Sequence, residues 1–153
     1  MGLLSRLFPA KPFLNDTEQK VVVDAIRAAE KRTSGEIRVF IESKCSYVSP
    51  LDRAVEIFHG LKMDHTEDRN GVLLYMAYKD RQLAIYGDKG IHEKVGSAFW
   101  DEEVKKILAS FRQSSYVDGL VHIITEIGDA LVSHFPYENE DRNELPDDIV
   151  FGR

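Results

Sequence analysis

A chain of 153 residues with 43% hydrophobic content has enough apolar material for one core and one compact domain. Its net charge of −6 and pI near 5.4 exclude a phosphate-backbone partner, and no basic stripe for nucleic acid occurs. No stretch approaches transmembrane length, and residues 1–14, broken by Arg6, Pro9, Lys11 and Pro12, lack the apolar run and cleavage site of an export signal.

Residues 1–14 read as an N-terminal extension. Residues 15–136 read as the folded domain, and 137–153 as an acidic tail packing on it or extending from it. Asn15-Asp16-Thr17-Glu18 has the form of a capping box. Val22, Ile26 and Ala29 follow at helical spacing, and Gly35 is expected to let the chain out of that helix. Ile37, Val39 and Ile41 then alternate with Glu36, Arg38 and Glu42, which predicts a strand with one face buried. Ser49 as cap, Pro50 at the first position and Asp52 in the first turn open a second helix, with Leu51, Val55, Phe58 and Leu61 as its apolar stripe.

Residues 72–77 are apolar throughout, as in a strand covered on both faces, and strand–helix–strand order predicts a parallel pair. The turn at 78–81 is too short for a helix, so the strand at 82–86 should return antiparallel. A helix beginning near Ile91 carries Val95, Phe99, Val104, Ile107, Leu108 and Phe111, with a break expected near Trp100-Asp101. The last helix starts after Ser114-Ser115, faces Val117, Leu120, Ile124, Ile127 and Leu131 inward, and stops at Phe135-Pro136. In the tail, Leu145, Pro146, Ile149, Val150 and Phe151 are the residues suited to press back onto the domain. The fold class that follows is α/β, a three-layer α/β/α sandwich around a small mixed sheet.

This topology brings Glu36, the loop Glu67, Asp68, Asn70, and Gly87-Asp88 to one end of the sheet. Glu42 and the turn Lys79-Asp80-Arg81 go to the other. The rule for open α/β sheets selects the second end, whereas the side-chain chemistry selects the first. Glu67, Asp68, Asn70 and Asp88 are hard oxygen donors suited to calcium or magnesium. The ordinary alternative is that they cap a loop and solvate a strand entrance, with Arg69 neutralising them in place of a metal. Gly87-Asp88-Lys89-Gly90 before a helix offers N–H groups for an anion, or is simply a turn that needs glycine. Asn139, Asp141 and Asn143 imitate an EF-hand start, but Glu144 and Val150 stand where the loop needs glycine and a bidentate acid. His65 and His92 lie nearest the acidic loops, as ligands, acids or plain surface residues. Cys45 and Arg53 lack the spacing of a cysteine phosphatase loop.

Thr33-Ser34-Gly35-Glu36-Ile37, Arg69-Asn70-Gly71-Val72-Leu73-Leu74, Asp80-Arg81 followed by residues 85–91, and Phe111-Arg112 followed by Tyr116 and Gly119-Leu120 together resemble the TPM domain. The resemblance covers roughly residues 17–135, and its ending Asn143-Glu144-Leu145-Pro146 is similar to that of short soluble bacterial members. It implies an α/β/α sandwich. It also implies the calcium binding associated with some members, and the acid phosphatase activity proposed for plant members, which include a thylakoid lumen protein of photosystem II repair. The expectation is a soluble, cytoplasmic, divalent-cation-binding module that engages a protein partner. The lone Cys45 fits such a reducing compartment. The alternative is a metal-dependent acid phosphatase acting on phosphomonoesters.

Overall fold

The computed structural model describes residues 13–46, 49–113, 115–137 and 149–152. The extension before Phe13, Ser114, Leu145, Pro146 and the EF-like run 139–144 therefore lie outside the described residues. Five α-helices and four strands are described: α1 (Asp16–Glu30), β1 (Glu36–Glu42), α2 (Pro50–Gly60), β2 (Gly71–Ala77), β3 (Gln82–Gly87), α3 (Lys89–Val95), α4 (Ser97–Gln113), α5 (Tyr116–His134) and β4 (Ile149–Phe151).

α1 begins as its sequence demands. Asn15 Oδ1 accepts from the Glu18 N–H at 2.8 Å, and Glu18 Oε1 accepts from the Asn15 N–H at 2.9 Å, so two orphan donors are satisfied reciprocally. The sheet has the order β3-β2-β1-β4. β1 is parallel to both β2 and β4, and β3 returns antiparallel to β2. Of the tail residues picked out above, Ile149, Val150 and Phe151 form β4.

Alternate strand residues feed two cores. Ile37, Val39, Ile41, Val72, Leu74, Met76, Leu83 and Ile85 pack under α1, α4 and α5. Phe40, Leu73, Tyr75, Ala77 and Ala84 pack under α2. The sheet is therefore covered on both faces, which gives the α/β/α sandwich.

Three local readings change. β1 is not half exposed: Glu36 and Glu42 are 3% and 6% accessible, and Glu42 meets Arg53 of α2. The alternation of polarity in β1 thus marks internal polar partners, not solvent. On α2 the buried residues are Ala54, Ile57 and Phe58, while Leu51 is 46% exposed; the inward stripe is rotated by about one position because small Ala54 permits close approach to the sheet. The break in the long helical stretch falls at Gly96, whose φ of +79° is open to glycine and strained for other residues. Trp100 consequently sits within α4 and is buried. α1 ends at Glu30 without using Gly35, whose lack of a side chain instead makes room for Leu131.

Candidate functional site at the strand-start rim

Register places the acidic loops together. Glu36 pairs with Gly71 and Val72 with Gly87, so the starts of β1 and β2 and the end of β3 share one rim. The loop entering β2 is held from within. The Arg69 N–H donates to the Thr66 carbonyl at 3.3 Å, and the Asn70 N–H donates to Thr66 Oγ1 at 3.2 Å. Arg69 adopts a φ of +51°, a left-handed conformation that L residues other than Asn and Asp adopt reluctantly.

That turn brings three of the rim residues into a chain. Asn70, 1% accessible, donates from Nδ2 to Ser34 Oγ at 3.1 Å. The Ser34 hydroxyl donates to Asp68 Oδ2 at 3.4 Å. Asp68 and Glu67 face solvent. Asp88 is a different case: it is 1% accessible and clamped by Arg69, with Nε to Oδ2 at 2.8 Å and Nη2 to Oδ1 at 2.9 Å. Its Oδ1 also caps α3 by accepting from the Lys89 N–H at 2.8 Å. A buried carboxylate needs such pairing, and the Asp88 hydrogen bonds raise the Arg69 guanidinium above its usual value in turn. The four sequence-selected residues thus meet at one rim in two groups, Asp68–Asn70 with neighbouring Glu67, and Asp88 with Arg69. Among the described residues, no group of three or more His, Cys, Asp or Glu side chains stands in a metal-holding arrangement.

The first N–H groups of α3 are already engaged. Lys89 N–H meets Asp88, and the N–H groups of Gly90 and Ile91 donate to the Arg69 carbonyl at 2.7 and 3.3 Å. The segment is a glycine-dependent turn and not an open anion cradle. His92 Nδ1 accepts from the Trp100 indole N–H at 3.1 Å, which assigns its proton to Nε2 and gives the buried tryptophan its partner.

A family model described as the TPM domain matches residues 10–130. This chain belongs to the TPM-domain family. A solved structure, the BA42 protein of the psychrophilic bacterium Bizionia argentinensis, is 48% identical with a TM-score of 0.85, over 94% of this chain and 98% of that one. The N-terminal domain of the cg2496 protein of Corynebacterium glutamicum shares the fold at 13% identity, with a TM-score of 0.52 over 94% and 92%. No curated protein matches. In this TPM domain, no helix among the described residues is long and apolar enough to cross a membrane.

Two polar clusters and a groove in the TPM domain escaped the sequence reading. At the opposite sheet end, Glu42 of β1 accepts from Arg53 Nε at 2.9 Å, from Arg53 Nη2 at 3.1 Å and from the Tyr75 hydroxyl at 2.5 Å. Burial raises the Glu42 carboxyl, but the hydrogen bonds from Arg53 and Tyr75 outweigh it and hold the group below its usual value. Burial, then Glu42, drives the Tyr75 phenol well above its own. The available signal was the tyrosine itself, since a phenol in an all-apolar central strand needs a partner. The groove, of ≈ 860 Å³, runs beside β3 between Pro50-Leu51 of α2 and Trp100-Val104 of α4.

The second cluster lies between α4 and α5. Glu103 is 3% accessible, and no N–H or O–H of a neighbour reaches its Oε2. Lys106 Nζ stands 3.5 Å from Glu103 and 3.2 Å from Glu126, and His122 Nε2 is 2.9 Å from Glu126. Burial first, and then Glu126, push the Glu103 carboxyl up to about 7, while Glu126 is held low chiefly by the proton that Glu103 donates. Between the ordinary value of 4.5 and about 7 the folded chain keeps a proton that the unfolded chain has released. Stability therefore falls as pH rises through that window, by at most about 1.4 kcal/mol per pH unit. Urea unfolding between about pH 5 and about pH 7 is expected to show this decline in the wild type and to lose it in Glu103→Gln; equal slopes would remove the shared proton.

Proposed function

We propose that this TPM-domain chain is a binding module in which Glu67, Asp68 and Asn70 take a divalent cation weakly, and which acts by engaging another protein. The observation that carries the reading is the Ser34–Asp68–Asn70 chain, which gathers oxygen donors from two strand entrances beside the exposed Glu67. Asp88 and Arg69 form the frame of that rim and set the path of the loop. Hard, irregular, solvent-facing oxygens favour calcium over magnesium, which demands a near-ideal octahedron. With only two carboxylates at the surface, the affinity falls in the range of about 10⁻⁴ to 10⁻³ M typical of weak sites. Calorimetric titration with calcium chloride is expected to give heat that Asp68→Ala abolishes. Absence of heat from the wild type at millimolar calcium would end the cation reading. With a single cysteine, Cys45, the chain cannot close a disulfide within itself, which supports a reducing compartment such as the cytoplasm.

The second reading is a metal-dependent acid phosphatase. It is favoured by Lys89 and His92 beside the same rim, where they would steady a phosphomonoester while an Asp68-bound metal supplied hydroxide. Turnover of a generic phosphomonoester no faster than by Asp68→Ala would remove it.

A further inference from the structure

The two edges of this sheet are finished in different ways. The β1 edge is covered by β4, a strand of only three residues, and short edge strands are a known defence against unwanted pairing. The β3 edge has no such protection. Its sequence, Gln-Leu-Ala-Ile-Tyr-Gly, contains no charge and no proline, and its six-residue pairing with β2 runs without a bulge. Among the described residues, nothing pairs with its outer side. A flat, apolar, uncharged edge of this kind is a template for another strand.

The position of that edge decides what kind of strand fits. Leu83, Ala84 and Ile85 are only 6%, 5% and 4% accessible, so the edge lies at the floor of the groove and not on its rim. Pro50 and Leu51 wall one side, and Trp100 and Val104 the other. A second folded sheet cannot bring its own edge down between two helices, whereas a single extended segment can. Five residues of β3, 83–87, line the groove floor, and at about 3.3 Å per residue a partner of roughly five to six residues spans it.

Charge narrows the choice further. The polar rim carries Lys89 and Lys105 against Glu93 and Asp101, while Arg69 and Asp88 neutralise one another. Balanced signs on the α3–α4 side, facing the uncharged wall of Ser49, Pro50 and Leu51, complement a segment of low net charge and disfavour a polyanion or a basic tail. The exposed Leu51, at 46%, offers an apolar contact for an alternating side chain.

We propose that β3 is a strand-addition site: an extended, near-neutral apolar segment of a partner protein pairs with its outer edge as a fifth strand. The proposal supplies the surface and partner chemistry for the protein engagement inferred above, and it does not depend on the cation.

The test uses the full chain, ¹⁵N-labelled, titrated to millimolar concentration with three acetylated hexapeptides that alternate valine with threonine, lysine or glutamate. The valine–threonine peptide is expected to shift the amides of residues 83–87 and the groove walls, in the presence of calcium or of EDTA. The two charged peptides should bind about tenfold more weakly or worse. N-methylating alternate amides of the neutral peptide should abolish binding, because it removes strand hydrogen bonds and keeps the side chains. Leu51→Glu, on an exposed wall, should weaken it by about tenfold. Unshifted β3 amides, or equal binding of the N-methylated peptide, overturn strand addition. Slower translational diffusion of the free chain with edge shifts would make the occupant a second copy and overturn the peptide proposal. The calcium titration is scored separately, so either result can fail without the other.

Discussion

Gly90→Ala is expected to lower stability by about 3 kcal/mol or more, because the added methyl meets backbone on the other side. A Cβ at Gly90 would stand 2.1 Å from the Asp68 carbonyl oxygen and 2.7 Å from that of Arg69. Neither atom is the end of a flexible side chain. The loop must move, and with it the Gly90 and Ile91 hydrogen bonds to Arg69. For a chain of this length the loss corresponds to a fall in Tm of roughly 6–12 °C. Gly60, in α2, is the control: a Cβ there would find nothing within 4 Å. Gly60→Ala should stabilise by about 0.5–1 kcal/mol through helix propensity. Thermal unfolding followed by circular dichroism reads both. If the two variants shift Tm in the same direction, contact with the Asp68 carbonyl is not what requires Gly90.

Arg53→Met should cost about 3–5 kcal/mol at neutral pH, the usual consequence of leaving a buried charge without its partner. Glu42 would keep only the Tyr75 hydroxyl, and Phe40 would lose the guanidinium that stands 5.8 Å from its ring centre. The pH dependence has a definite sign. In the wild type the lowered Glu42 carboxyl contributes stability above its unfolded value of 4.5, and this is lost as pH falls. In the variant, burial acts without opposition and Glu42 protonates more readily, so the deficit relative to wild type shrinks toward acid pH. The triple change Arg53→Met, Glu42→Leu, Tyr75→Phe is expected to recover most of the loss, since a packed apolar set of similar volume replaces ion pairs at little cost. Urea midpoints across the pH range test both statements. A deficit that stays constant down to about pH 4 would mean the arginine acts by packing and not by charge.

Element order, strand direction and the convergence of acidic loops were legible because each rests on local chemistry. The cap at Asn15, the uninterrupted apolar run of β2 and the short turn at 78–81 leave few topologies open. What stayed hidden depends on pairs brought together by the fold. Polar residues in β1 looked solvent-facing, since period-two alternation cannot distinguish water from a half-buried Arg53. The Arg69–Asp88 clamp needs both the register that sets Val72 beside Gly87 and the left-handed turn at Arg69. Its charge competition was foreseeable, but its geometry was not. The Glu103–Glu126 contact joins two helices whose individual patterns treat both residues as surface. The groove was unreadable for another reason: which strand becomes an edge follows from where β4 docks, and three residues near the end of the chain carry too little pattern to place it.

That late docking also bears on synthesis. During translation, β1 finds β2 early, but the other flank of residues 39–41 waits until Ile149, Val150 and Phe151 have left the ribosome. A nascent chain halted after α5 therefore carries an open flank beside Val39 and Ile41, a surface that chaperones would be positioned to shield until the final strand arrives.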